Sequence, residues 1–144
     1  MMIQLNQMKS NIKKKLILIV EDQDDMNKEY CTLLEAEGFK CIPCFNGKEG
    51  VDAARKYQFD AISADMMMPV MDGIEMIKQI RTDSLNIHTP ILAYTNMCSN
   101  KLERELERIG TNRYMIKTEY TMQEYVDAIK ELLEIRSYIK LIWK

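Results

Sequence analysis

Five short apolar runs, at 15–20, 40–45, 61–64, 90–95 and 113–116, alternate with five stretches of helical periodicity, and this alternation constrains the chain more than any other feature. The run at 15–20 is nearly continuous Leu, Ile and Val and is followed at once by charged residues. That is the pattern of a strand covered on both faces, as in a parallel sheet. Runs this short, each separated from the next by a helix-length stretch, predict a doubly wound α/β domain with right-handed crossovers. Pro43 lies inside the second run. It cannot donate a ladder hydrogen bond, which assigns that strand to the sheet edge.

Capping signals delimit the helices. Asp24 or Asp25 caps a first helix with Met26, Tyr30, Leu33 and Leu34 on one face, stopped by Gly38. Asn46 with Glu49 opens a second, running to about Tyr57 and weakened at Gly50 by about 1 kcal/mol relative to Ala. Asp72 with Glu75 opens a third, carrying Ile74, Ile77 and Ile80. Asn100 with Glu103 caps a fourth, with Leu102, Leu106 and Ile109 inward and Gly110 at its end. Thr121 with Glu124 opens the last, through Tyr125, Ile129, Leu132 and Leu133. A helix continued to the end of the chain is about 36 Å long, roughly twice what a short sheet needs. Its excess carries Ile135, Tyr138, Ile139, Leu141, Ile142 and Trp143, which either form an interface with a partner or a second copy or bend back onto the domain.

At 144 residues the chain is expected to hold one domain over 14–135, with a loose amino-terminal extension at 1–13 and an extension of the last helix at 136–144. A hydrophobic share of 47% and a charged share of 29% suit a soluble globular protein. The net charge of -2 gives no electrostatic reason to expect nucleic acid or an anionic membrane as partner. The apolar run behind Lys13-Lys14-Lys15 is too short for an export signal or a membrane span, so a cytoplasmic location is expected. Cys31, Cys41, Cys44 and Cys98 are expected to be reduced and buried. Cys41 and Cys44 form one CxxC without a second pair, and the single histidine, His88, lies in a polar loop beside Pro90, so no zinc site is expected.

The chemistry gathers at strand ends. Asp65 closes the run 61–64 and is followed by Pro69 and the pair Asp72-Gly73. Ligands of open α/β sheets bind outside the carboxyl ends of strands, which makes Asp65 a site candidate, although one Asp there could equally cap a turn. Glu21 and Asp22 end the first strand, Thr95 the fourth, and Lys117 follows the fifth. Three carboxylates in one crevice repel one another and raise each other's pKa. A hard divalent cation such as Mg²⁺ relieves that repulsion, and an ammonium beside Asp65 keeps it ionised.

Taken in order, Glu21-Asp22, Asp65, the loop from Met68-Pro69 to Asp72-Gly73, Thr95 and Lys117 resemble the response-regulator receiver domain over about residues 14–135. The resemblance implies a flavodoxin-like five-stranded parallel sheet of order 2-1-3-4-5 with five helices. It implies Asp65 as phosphoacceptor, with Mg²⁺ held by Glu21, Asp22, Asp65 and the Met67 backbone carbonyl. Lys117 and Thr95 would read the phosphoryl group, and Tyr114 would turn with Thr95 to remodel the face made by the fourth helix, fifth strand and fifth helix. The implied donor is a sensor histidine kinase or histidine phosphotransfer protein, the output a protein target or a homodimer, and the only chemistry the domain's own phosphorylation and dephosphorylation.

Several residues depart from that pattern. Thr118 stands where the family usually has a proline, so the peptide after Lys117 is expected to be trans. Asn96 follows Thr95 where a small residue is usual and would crowd the phosphoryl pocket. Met67 and Met97 replace residues that are often polar, which predicts slow hydrolysis of the phosphoryl group. An atypical, unphosphorylated docking or dimerisation module is the alternative reading. A haloacid-dehalogenase-like phosphatase would need a second Asp where Met67 stands, and a flavin carrier of the same fold would need a phosphate cradle where the chain is acidic.

Overall fold

The computed structural model describes residues 1–5 and 13–142. Most of the expected amino-terminal extension and Trp143 therefore lie outside the described residues. A helical turn at 2–5 is followed, from residue 16, by β1 (Leu16–Val20), α1 (Asp24–Ala36), β2 (Lys40–Cys44), α2 (Gly47–Lys56), β3 (Ala61–Ala64) and α3 (Gly73–Thr82). Then come β4 (Ile91–Thr95), α4 (Asn100–Arg108), β5 (Arg113–Ile116), a 3₁₀ turn at Lys117–Glu119 and α5 (Met122–Ile142). All strand pairs are parallel and the order is β2-β1-β3-β4-β5. Pro43 sits opposite Ile19 on the edge strand, as its missing N–H requires.

The alternation of side chains along each strand divides the core in two. Ile17, Ile19, Leu92, Tyr94 and Met115 face α1 and α5, where they meet Tyr30, Leu34, Tyr125, Ile129 and Leu132. Leu18, Val20, Ile62, Ala64 and Ile91 face the other way, against residues such as Val51, Met76, Ile77, Ile80 and Leu106 of α2, α3 and α4. Each such side chain, fully buried, contributes about 1.5–3 kcal/mol of transfer free energy. That two-sided burial holds the strand ends, and so the site, in fixed positions.

Three of the expected caps form. Asn46 accepts from the Glu49 N–H, Asp72 from the Glu75 N–H, and Thr121 and Glu124 bond reciprocally. Two are displaced. Gln23 occupies the N-cap position of α1 without a side-chain bond, while Asp24 and Asp25 fall in the first turn, where the helix dipole favours acids. Ser99, not Asn100, caps α4 by accepting from the Leu102 N–H. Both are short oxygen-bearing side chains, and the sequence pattern does not separate neighbours of that kind.

Gly50 is no simple weak point. A Cβ there would lie 2.5 Å from Met76 Sδ and 3.1 Å from Val20 Cγ2, so the glycine lets α2 approach α3. The cysteines also depart from expectation: all four are free, but only Cys44 is buried, Cys31 and Cys41 are half-buried and Cys98 is exposed. His88 is exposed in its loop. The Lys117–Thr118 peptide is trans, as no cis peptide occurs among the described residues.

The last helix packs on its own domain along one side and leaves the other side exposed. Arg136 is only 6% exposed and Lys140 lies 3.8 Å from Asp60, so one side packs on the domain. Ile135, Tyr138, Leu141 and Ile142 remain open to solvent on the other.

Candidate functional site: an acidic crevice at the strand ends

In-register parallel pairing brings the site together. Val20 pairs with Ala64, Ala64 with Ala93, and Thr95 with Ile116. The residues that follow the first, third and fifth strands therefore emerge on one rim with Thr95. The Glu21 N–H donates to the Cys44 carbonyl and the Asp65 N–H to the Val20 carbonyl, fixing both backbones as they leave the sheet.

Candidate ligand oxygens of Glu21, Asp22 and Asp65 lie within 4.8 Å of one another. Lys117 Nζ donates to Asp65 Oδ2 at 2.8 Å and also to Glu21 Oε1. Its side chain is 8% exposed, so the ammonium is spent inside the crevice rather than on solvent. Burial alone would lower its pKa, but the bonds and charges of Asp65 and Glu21 outweigh that and raise it. Tyr94 lies beneath: Lys117 Nζ is 5.9 Å from its ring centroid, and the ring stacks on Tyr125 at 4.5 Å.

The carboxylates differ in state. Burial pushes Glu21 up to about 7 even though Lys117 pulls the other way. Asp65 is also pushed up by burial, but Lys117, the Thr95 hydroxyl and the Met67 N–H together hold it below its ordinary value. Asp65 is thus kept ionised as a nucleophile must be. Glu21 Oε2 is buried and has no hydrogen-bond partner among the described residues. Three clustered carboxylates, one of them with a buried oxygen left unpartnered, fit a hard divalent cation of the Mg²⁺ type.

The loop after Asp65 is shaped by two glycines. The Gly73 N–H donates to the Met66 carbonyl, and a Cβ on Gly73 would stand 2.3 Å from the Asp65 carbonyl oxygen. The Gly47 N–H donates to the Met71 carbonyl, and a Cβ on Gly47 would stand 2.3 Å from that oxygen. Val70 between them has φ +69°, unusual for a β-branched residue. The resulting rim bounds a cavity of about 450 Å³ whose walls include Asp22, Met67, Met68 and Met97.

Thr95 is fully buried and its hydroxyl accepts from the Met97 N–H at 3.3 Å. Tyr114 is half-buried against the α4 side of the core, and its hydroxyl donates to the Met97 carbonyl. Met97 therefore joins Thr95 to Tyr114 through its own backbone. Asn96 is exposed.

Asn27 is the residue the sequence reading missed. It is fully buried, and its Nδ2 donates to the carbonyls of Glu21 and Cys44 at 3.0 and 2.9 Å. The inward face of α1 is Asn27, Tyr30 and Leu34, and an amide at helical spacing from two buried side chains was the available signal.

Residues 17–130 match the family model of the response regulator receiver domain. The chain is 30% identical over 119 residues to the polar-differentiation response regulator DivK of Brucella anthropi, covering 83% of this chain and 96% of that protein. It is 33% identical over 134 residues to hybrid signal transduction histidine kinase D of Dictyostelium discoideum, covering 92% of this chain but only 8% of that much longer protein. Among solved structures, the chemotaxis protein CheY4 of Vibrio cholerae superposes with a TM-score of 0.78 at 26% identity, over 83% of this chain and 99% of that one.

Proposed function

We propose, from the premise that this chain belongs to the response regulator receiver domain family, that Asp65 accepts a phosphoryl group in a Mg²⁺-dependent reaction and that its state is read through Thr95 and Tyr114. The observation that carries this reading is the pairing of an ionised Asp65 with Lys117 beside the unpartnered Glu21 oxygen. The receiver is a signalling domain rather than a metabolic enzyme, and its chemistry is proposed to be confined to its own aspartate.

Glu21, Asp22, Asp65 and the Met67 carbonyl would hold the cation, which when bound would supply positive charge against the phosphoryl group. Asp65 attacks phosphorus, a P–O bond forms, and the bond to the donor breaks with its electron pair leaving on the donor. With a phosphohistidine donor the leaving group is an imidazole nitrogen. Lys117 turns its ammonium to a phosphoryl oxygen, and Thr95 donates its hydroxyl to another. That second contact withdraws Thr95 from Asp65 and changes its bond with the Met97 N–H. Tyr114, held by the carbonyl of the same residue, follows, and the surface of α4, β5 and α5 changes for a protein target. A phosphoryl group favours this state only by the contacts it gains there.

The donor is proposed to be a sensor histidine kinase or a histidine phosphotransfer protein, in the cytoplasm. No helix among the described residues is long and apolar enough to cross a membrane. The complete set of acid, lysine and threonine side chains supports this reading over an unphosphorylated docking module. Intact mass after incubation with a small-molecule phosphodonor and Mg²⁺ tests it. One added phosphoryl group in the wild type and none in Asp65→Asn is expected; no addition to a folded wild type would overturn it.

A further inference from the structure

We propose that a second cavity, at the amino-terminal edge of the sheet, binds a phosphate-bearing anion. Lys13, Lys14 and Lys15 lead into β1, Asp60 precedes β3, and Arg136 and Lys140 lie on the late turns of α5; all six line one cavity of about 220 Å³. It lies at the opposite end of the strands from the acidic crevice, about 16 Å away at ~3.3 Å per residue along β1. The two sites share no residue.

The wall is strongly biased in charge, with five cations and one carboxylate. That carboxylate is already engaged. Asp60 Oδ2 accepts from the Leu16 N–H at 2.9 Å, and Oδ1 lies 3.8 Å from Lys140 Nζ. The chain's net charge of -2 hides this patch, because a sum over all residues says nothing of their placement.

Arg136 supplies the independent observation. It is 94% buried, and its Nε is enclosed with no hydrogen-bond partner among the described residues. A buried guanidinium N–H without an acceptor is costly, and native structures rarely leave one. The planar fork of arginine matches two oxygens of a phosphate, and the lysines add point charges around it. Past Arg136 and Lys140 the cavity meets a second lobe of about 370 Å³, walled in part by Leu85, Ile87 and Ile139. The geometry suits a phosphate seated against Arg136 with an apolar body beyond it. Such a ligand is either a soluble phosphate ester or the headgroup of an acidic lipid whose chains follow Leu85, Ile87 and Ile139.

The test is calorimetric titration of inorganic pyrophosphate into the full chain without Mg²⁺, with sedimentation of phosphatidylglycerol vesicles as the second arm. Saturable binding at low salt is expected, weakened at least tenfold by Arg136→Gln and by Lys140→Gln and unchanged by Arg104→Gln on the exposed side of α4. If Arg136→Gln does not fold by circular dichroism, Lys140→Gln decides. Vesicle pelleting that pyrophosphate competes away assigns the lipid source; pyrophosphate binding without pelleting assigns the soluble one. Absence of both, or binding that neither variant weakens, overturns the site.

Discussion

Lys117 Nζ stands 2.8 Å from Asp65 Oδ2, joining the ends of β5 and β3 across 52 residues of sequence. The same ammonium also pairs with Glu21, so one cation answers two buried acids. Lys117→Met leaves both without a counter-charge. Breaking a buried pair from one side costs about 3 kcal/mol, read as a fall in the urea midpoint. Phosphoryl incorporation should fall by a factor of about 10²–10³, the usual loss when a donor to developing charge is removed. A variant with unchanged midpoint and rate would mean that the pair does neither job.

Stability without Mg²⁺ should decline as pH rises from about 4.5 to about 7, because burial raises Glu21 from 4.5 to about 7. Between those values the folded chain holds a proton that the unfolded chain has lost, so the native state is favoured on the acid side. The full effect is about 3 kcal/mol, from 1.36 kcal/mol per pKa unit. Asp65, held below its ordinary value, acts in the opposite sense and only in more acid solution. Denaturation midpoints at pH 5, 6 and 7 should show the slope. Glu21→Gln should flatten it, and so should added Mg²⁺, which takes the place of the proton.

Gly73→Ala should damage the crevice from behind. Its Cβ would lie 2.3 Å from the Asp65 carbonyl oxygen and 2.8 Å from the Met66 Cα, both backbone atoms that can yield only by moving β3 or α3. Overpacking of this kind costs about 1–3 kcal/mol. Loss of phosphoryl incorporation beyond the loss of folded fraction would show that Asp65 has been displaced.

Asn27→Leu keeps the branched shape but orphans the Glu21 carbonyl and leaves the Cys44 carbonyl with the Glu21 N–H alone. Each buried acceptor left without a donor costs about 1–3 kcal/mol. Mg²⁺ titration of the folded variant by tryptophan-independent calorimetry should show weaker binding than the wild type, because Asn27 fixes the backbone that aims Glu21. Equal affinity would make Asn27 a structural residue only.

Met67 and Met97 both border the crevice and are substantially exposed, at 65% and 36%. Neither side chain can orient water for attack on the phosphoryl group. The phosphorylated wild type is therefore expected to be long-lived, and Met67→Asn with Met97→Glu to shorten its lifetime by about a hundredfold, the low end of what positioned polar groups supply. Time-resolved intact mass after removal of the phosphodonor measures both.

The edge position of the Pro43 strand and the acidic rim were legible because each is written locally, while the order of the sheet followed from the resemblance to the receiver family. Short apolar runs give strands, a proline forbids a ladder bond, and charged residues at run ends fall on one rim once parallel strands pair in register. The helix starts were legible to within a residue, and they slipped where Ser99 adjoins Asn100 or where the first turn holds two aspartates. What the sequence by itself determined was thus the fold and the gathering of Glu21, Asp22 and Asp65 on one rim. Only the tertiary structure decided the rest: that Glu21 keeps one oxygen unanswered, that Asn27 steadies it, that Lys117 serves two acids, and that Arg136 is buried at the far edge among lysines. Those features depend on which residues distant in the chain share a desolvated space, and pairing and burial there set charge and hydrogen bonding in ways that no local pattern records.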